Sequence, residues 1–225
     1  MTELKKYFAV IGNPIHHSLS PQIHAAFAKE AGIDIHYEAV LSPLDQFQDT
    51  VKTLISRKLT GANVTLPFKK EAYALATTHT DYAKIAEAVN TLEFKEDQII
   101  GHNTDGLGLV RDLEQNLQFN LKGKKILLIG AGGAAEGVIY SILEKEPSQL
   151  TLTNRTIEKS NIIHNKMNVF LGKPEISIYA ALDHYHASLL PKPVVRQIER
   201  QSWRDILYVG LLLMILVFLY VYSSK

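Results

Sequence analysis

A glycine-rich turn, Gly130-Ala131-Gly132-Gly133-Ala134-Ala135, stands between the largely apolar run Lys125 to Ile129 and a helix-forming stretch from Ala134 to Leu143. A run without polar alternation reads as a strand buried on both faces, as inside a parallel sheet. Gln149 to Thr153 follows as a second strand, Glu158 to Phe170 as a weaker helix and Glu175 to Tyr179 as a third strand. Together they make one βαβαβ half of a doubly wound α/β fold.

Gly130, Gly132 and Ala135 fit the pattern G-x-G-x-x-A. The first glycine permits the tight turn, the second lets backbone amides approach a pyrophosphate, and the small third residue lets helix pack on strand. The turn from Gly130 through Ala131, Gly132 and Gly133 to Ala134 is therefore a candidate nucleotide site; a purely structural turn is the alternative. Sites that prefer NAD place an acid at the end of the second strand, to hold the ribose hydroxyls. Here that strand ends in Asn154-Arg155-Thr156. A guanidinium there suits a 2′-phosphate, which favours NADP.

The preceding part of the chain alternates strand and helix patterns. Tyr7 to Ile11 reads as a strand closed by Gly12-Asn13-Pro14. Ser20-Pro21 opens a helix with serine as N-cap, Ile23, Ala26, Phe27 and Ala31 keep helical spacing, and Gly32 stops it. Ile35 to Leu41 reads as a strand, Pro43 to Ser56 as a helix, Gly61 to Leu66 as a strand and Pro67 to Ala76 as a helix. Val89 to Phe94 and Gln98 to His102 form a strand pair, and Gly108 to Leu117 a helix.

Polar motifs recur at the ends of these apolar segments: Ser18-Leu19-Ser20-Pro21, Asn63 through Lys69, Ala88 through Thr91, and Asn103-Thr104-Asp105-Gly106. Strand ends are where an α/β protein places substrate-binding groups. Ser18 and Ser20 sit where backbone amides and a helix dipole attract a carboxylate, although Ser20 serves equally as a cap. Lys69 falls in the first turn of a helix, where a cation opposes the dipole and costs up to ~1 kcal/mol. Asn90 and Asp105 lie at turns and read equally as turn formers. His16 and His17 are adjacent and lack a metal-ligand partner set, so no metal is expected.

A net charge of +1 offers no electrostatic case for nucleic acid. The absence of cysteine excludes disulfides and thiolate chemistry and suits a reducing compartment. No export signal is read at the amino terminus. The run Ile206 to Tyr222 carries no charge, and Trp203, Tyr208, Tyr220 and Tyr222 flank it. As a helix it spans roughly 25 Å, near the short end for crossing a bilayer. A membrane helix is the expectation and a buried core helix the alternative, because no polar face remains to meet water. Lys192, Arg196, Arg200 and Arg204 precede the run, placing that side in the cytoplasm.

In order and spacing, these motifs resemble shikimate dehydrogenase over about residues 6 to 183. The resemblance implies an amino-terminal α/β substrate domain over 1–105, a connecting helix over 106–121 and a Rossmann-type NADP domain over 122–183. A basic connector over 184–205 and the apolar segment 206–222 complete the expected organisation. It also implies reversible, NADP-linked reduction of 3-dehydroshikimate to shikimate, in the pathway to chorismate and aromatic amino acids. By position Ser18 and Ser20 hold the substrate carboxylate, and Thr65, Asn90 and Asp105 contact the ring hydroxyls. Lys69 transfers the proton, paired with Asp105. Asp81 falls on the cofactor side, and Lys159 stands where a basic residue assists the 2′-phosphate. Beyond residue 183 the family's further strands and terminal helix have no counterpart, so the cofactor domain reads as truncated. Two expectations stand: an enzyme with a membrane anchor, or an inactive member that still binds shikimate.

Overall fold

The structure, a computed structural model, describes residues 5–154, 156–171 and 176–180. They fall into two compact units, which divide between Thr104 and Asp105.

In the first unit β1 (Lys6–Gly12) leads through α1 (Ser20–Ala31) to β2 (Ile35–Leu41), and α2 (Phe47–Ser56) leads on to β3 (Gly61–Val64). Next come α3 (Lys69–Leu75), β4 (Thr78–His79), α4 (Asp81–Ala86), β5 (Thr91–Lys95) and β6 (Gln98–His102). The strands form one sheet in the order β2-β1-β3-β5-β6-β4. β1 pairs in parallel with β2 on one side and β3 on the other. The path from β1 to β2 and back across to β3 reverses direction, so right-handed crossovers place α1 and α2 on opposite faces.

The two faces differ in chemistry. Ala9, Ile11, Ala62, Val64 and Leu92 point to the α2 face, where they pack with Phe47, Val51, Leu54 and Phe68 into a closed apolar core. Phe47, Val51 and Leu54 recur at helical spacing along α2 and supply its buried stripe. Each such side chain contributes roughly 1.5–3 kcal/mol by leaving water. Phe68 is fully buried and its ring stacks on Phe47 at 5.0 Å, which seats the start of α3. The α1 face is polar along the row Tyr37, Asn63 and Thr91.

The second unit holds α5 (Asp105–Arg111), which runs on into a π-helical turn over Asp112–Asn116. β7 (Lys125–Ile129), α6 (Gly133–Leu143), β8 (Gln149–Asn154), α7 (Ile157–Leu171) and β9 (Ile176–Ala180) follow. Its three strands are parallel in the order β7-β8-β9, the βαβαβ half-fold expected.

Several expectations need correction. Ser20 is the first residue of α1 rather than its N-cap: Leu19 occupies the cap position, and the Ser18 hydroxyl accepts the Ser20 amide at 3.3 Å. A hydroxyl reaching two residues onward makes a local turn of its own, and this moves the helix start. The spacing of Ile23 and Phe27 does not mark an inner face, since they are 40% and 60% exposed and Ala28 is buried instead. The helix expected from Pro43 begins at Phe47, because the Gln46 amide closes a turn on the Pro43 carbonyl at 3.2 Å. β3 ends at Val64 and α3 begins at Lys69, with a turn between them in which the Phe68 amide reaches the Thr65 carbonyl at 3.1 Å. β4 and α4 were not anticipated, and α5 begins at Asp105 rather than Gly108. Among the described residues no helix is long and apolar enough to cross a membrane. The connector 184–205 and the run 206–222 lie outside them.

Candidate active site

Strand direction brings the polar motifs of the first unit to one end of its sheet. β1 and β3 run parallel, β5 is antiparallel to β3, and β6 is antiparallel to β5. The carboxyl ends of β1, β3 and β6 therefore lie with the amino end of β5. Ser18 and Ser20 follow β1, Thr65 and Lys69 follow β3, Asn90 precedes β5, and Thr104 follows β6. The β1/β3 boundary is also where the strand order reverses, the usual place for a ligand crevice in such sheets.

Backbone bonds lock the two main loops together. The Thr65 amide donates to Ile11 O at 2.9 Å and the Asn13 amide to Leu66 O at 3.0 Å. The Asn13 side chain in turn donates to Ser42 O at 2.8 Å. A Cβ on Gly12 would stand 2.6 Å from Thr65 Cγ2, so only glycine lets this threonine sit there. Lys69 is half-buried at the start of α3, and its carbonyl accepts the Val89 amide at 2.9 Å. The Val64 amide donates to Asn90 O at 2.8 Å, which ties the Asn90 turn to the end of β3.

Asn90 sits in a dense polar cluster. Its Oδ1 accepts the Thr104 amide and the Thr91 hydroxyl, each at 3.0 Å, while its Nδ2 donates to Thr104 Oγ1 at 2.9 Å. Behind it, Asn63 Nδ2 donates to Thr91 Oγ1 at 3.0 Å, and Asn63 Oδ1 accepts the Tyr37 hydroxyl at 2.7 Å. His24 Nε2 lies 3.2 Å from the same oxygen. Burial pushes the Tyr37 phenol well above its ordinary pKa and lowers that of His24, so both are neutral at pH 7. Tyr37 and His24 were not singled out in the sequence. A polar residue amid an apolar strand, as Asn63 is, was the available signal, because a buried amide needs partners.

Asp105 is the first residue of α5, one peptide bond after Thr104. Gly106 beside it serves packing: a Cβ there would stand 2.8 Å from Gly137 O and against Ser141 on α6. Asp81 opens α4 and is exposed, with its carboxylate 3.3 Å from Lys84 Nζ.

In the second unit the glycine turn joins β7 to α6 in the strand–turn–helix arrangement that cradles a pyrophosphate. Gly130 has φ 112°, a conformation that favours glycine. Gly132 takes an extended conformation open to any residue, and a Cβ at Gly132 or Gly133 would meet nothing within 4 Å among the described residues. Packing among the described residues does not demand glycine at either position, and the lack of a side chain leaves the backbone amides open to an anion. Asn154, ending β8, accepts the Ala131 amide at 3.3 Å and donates to Thr156 O at 2.7 Å. It fastens the turn to the loop that follows β8. Ala134 is in the first turn of α6, and Lys159 is exposed in the first turn of α7. Arg155 lies outside the described residues. The turn fits a dinucleotide. Among the described residues no cluster could hold a metal ion.

Residues 10–92 match the family model described as the shikimate dehydrogenase substrate binding domain, and residues 112–185 that of shikimate / quinate 5-dehydrogenase. A shikimate dehydrogenase (NADP(+)) of Nitrosospira multiformis is 54% identical over 68% of this chain and 56% of its own length. One of Nitrosomonas europaea is 47% identical over 83% of this chain and 72% of its own. A structure of shikimate 5-dehydrogenase from Thermus thermophilus in complex with NADP(H) and shikimate is similar at 30% identity and a TM-score of 0.69, over 77% of this chain and 62% of that one. The chain thus spans between about half and three quarters of the lengths of these proteins.

Proposed function

The chain belongs to the shikimate dehydrogenase family, and we propose that it catalyses the reversible, NADP-linked reduction of 3-dehydroshikimate to shikimate, in the biosynthesis of chorismate and aromatic amino acids. The observation that carries this reading is the convergence of Ser18, Ser20, Thr65, Lys69 and Asn90 at the carboxyl ends of β1 and β3.

In this reading the Ser18 and Ser20 hydroxyls receive the substrate carboxylate at the start of α1, where the helix dipole favours an anion. Thr65, Asn90 and Asp105 hold the ring hydroxyls. NADPH, when bound, would supply the hydride that adds to the ketone carbon. As the carbonyl π pair moves onto oxygen, the Lys69 ammonium stabilises the developing charge and gives up a proton to it. In the reverse direction neutral Lys69 takes the hydroxyl proton. Asp105 is the partner that the family resemblance assigns to the lysine in this proton transfer. When bound, NADP would have its pyrophosphate held by Gly130 to Ala134 and its adenosine ribose and 2′-phosphate by Asn154, Arg155, Thr156 and Lys159, and the family resemblance assigns Asp81 to the cofactor as well.

A second reading, binding without turnover, draws on the end of the family match at residue 185. Calorimetric titration of the chain with shikimate and then NADP+ tests the common premise. Saturable binding of shikimate that Ser18→Ala weakens supports it, and no binding of either molecule contradicts it. For location we propose that residues 6–183 lie in the cytoplasm and that 206–222 anchors them, as the uncharged run with basic residues before it suggests. Release of folded protein from membranes by carbonate contradicts the anchor.

A further inference from the structure

We propose that Tyr37 and His24 are positioning residues that, acting through Asn63 and Thr91, aim the Thr91 hydroxyl at Asn90 and so help the Thr104 amide hold the direction of the Asn90 side-chain amide. The inference rests on the reading of Asn90 as a substrate contact. A carboxamide has two orientations related by a half turn, and only the partners of each end choose between them. At Asn63 the choice is forced. Asn63 Nδ2 lies 3.5 Å from Asn90 O, a backbone carbonyl that can only accept, so that end is the NH2, and the end 2.7 Å from the Tyr37 hydroxyl is Oδ1, to which the phenol donates. His24 Nε2, 3.2 Å from the same atom, acts as a second donor in the Nε2–H tautomer. The opposite end is then Nδ2, a pure donor, and at 3.0 Å it makes Thr91 Oγ1 an acceptor.

Thr91 has one hydroxyl hydrogen left, and Asn90 Oδ1 stands 3.0 Å away to receive it. The Thr104 amide reaches the same oxygen at 3.0 Å. Asn90 is thereby committed with Oδ1 inward and its NH2 on the other edge, where it meets the Thr104 hydroxyl at 2.9 Å. A ligand rich in hydroxyls thus meets a donor edge, its direction held by the Thr104 amide and by the Thr91 hydroxyl, which the phenol orients through Asn63. Register makes the row possible: Asn63 and Thr91 are directly opposed on β3 and β5, and Tyr37 and Asn63 point to the same face of the sheet. Burial keeps the Tyr37 phenol protonated, so the donor persists across the physiological range.

The test uses the full chain with Tyr37→Phe, Thr91→Val and Thr91→Ser, read by shikimate affinity and by hydrogen exchange of the Asn90 side-chain NH2 in nuclear magnetic resonance. Tyr37→Phe and Thr91→Val should each weaken shikimate binding by about tenfold and speed that exchange, as expected for a hydrogen bond lost from an oriented site. Thr91→Ser, which keeps the hydroxyl, should recover most of both losses; a role in packing alone would not separate serine from valine this way. Unchanged Asn90 exchange and affinity in folded Tyr37→Phe would overturn the relay. If the unmodified chain binds no shikimate, the functional reading fails on its own, and the exchange comparison still decides the relay: faster exchange upholds it and equal exchange overturns it.

Discussion

The carbonyl of Lys69 accepts the amide of Val89 at 2.9 Å, so the residue that opens α3 is fastened to the turn that carries Asn90. Two polar motifs about twenty residues apart in the chain are thereby held as one element, with Phe68 buried beneath them as the anchor. A cation at a helix start is otherwise unfavourable, and its fixed placement fits a role in charge stabilisation.

Lys69→Ala should lower turnover by about 10²–10⁴, the usual worth of a placed general acid, while leaving shikimate affinity within a few-fold. Ser18→Ala should instead raise KM with little change in kcat, as loss of uniform binding does. Steady-state kinetics in both directions separate the two. Equal kcat for Lys69→Ala and the unmodified chain would remove the lysine from the chemistry.

Gly106→Ala should destabilise the second unit by about 1–3 kcal/mol, the cost of overpacking a close contact, because the new methyl would press on Gly137 O and Ser141. Urea titration measures the change. A shift under about 0.5 kcal/mol, the range of ordinary surface substitutions, would mean that α5 and α6 give way freely.

Stability should fall as pH drops below the ordinary histidine value of 6.5, in part through His24. Its burial beside Tyr37 and Asn63 lowers its pKa in the folded state, so the unfolded chain binds the proton first. The contribution is full above 6.5 and is lost as pH falls towards the lower folded value. Urea midpoints of the chain and of His24→Gln, at a pH about one unit above that value and one about a unit below, isolate it, since the other histidines cancel in the difference. The gap between the two proteins should narrow at the lower pH, and a constant gap would contradict the sign.

NADP+ should bind more tightly than NAD+, because β8 ends in Asn154 with no acid beside Arg155. Arg155→Ala should cost NADP+ about 1.5–3 kcal/mol, the worth of a charge-assisted hydrogen bond, and leave NAD+ unchanged. Equal affinity for both dinucleotides in the unmodified chain would refute the preference.

The half-fold around the glycine turn, and β2 from Ile35 to Leu41, were legible because apolar runs and their breakers are local signals. Gly32 ended α1 as expected, at φ 68°, with its amide returning to the helix carbonyls. β4 escaped because two residues carry no period, and α4 because six residues show barely more than one turn. The loops that hold Thr65 and Lys69 could be placed at a strand end, but their fastening to Asn13 and Val89 depends on strand order. The Tyr37–Asn63–Thr91 row was hidden for the same reason: cross-strand register is a tertiary property, and neither Tyr37 nor Thr91 is unusual in its own segment.

The proposed reduction of 3-dehydroshikimate by NADPH is tested most directly by the loss of near-ultraviolet NADPH absorbance when the full chain meets both compounds. The expected result is a 3-dehydroshikimate-dependent loss that yields shikimate in equal amount and is largely removed by Lys69→Ala. Folded chain that binds shikimate and NADP+ yet oxidises no NADPH would contradict it and leave the binding-only reading in its place.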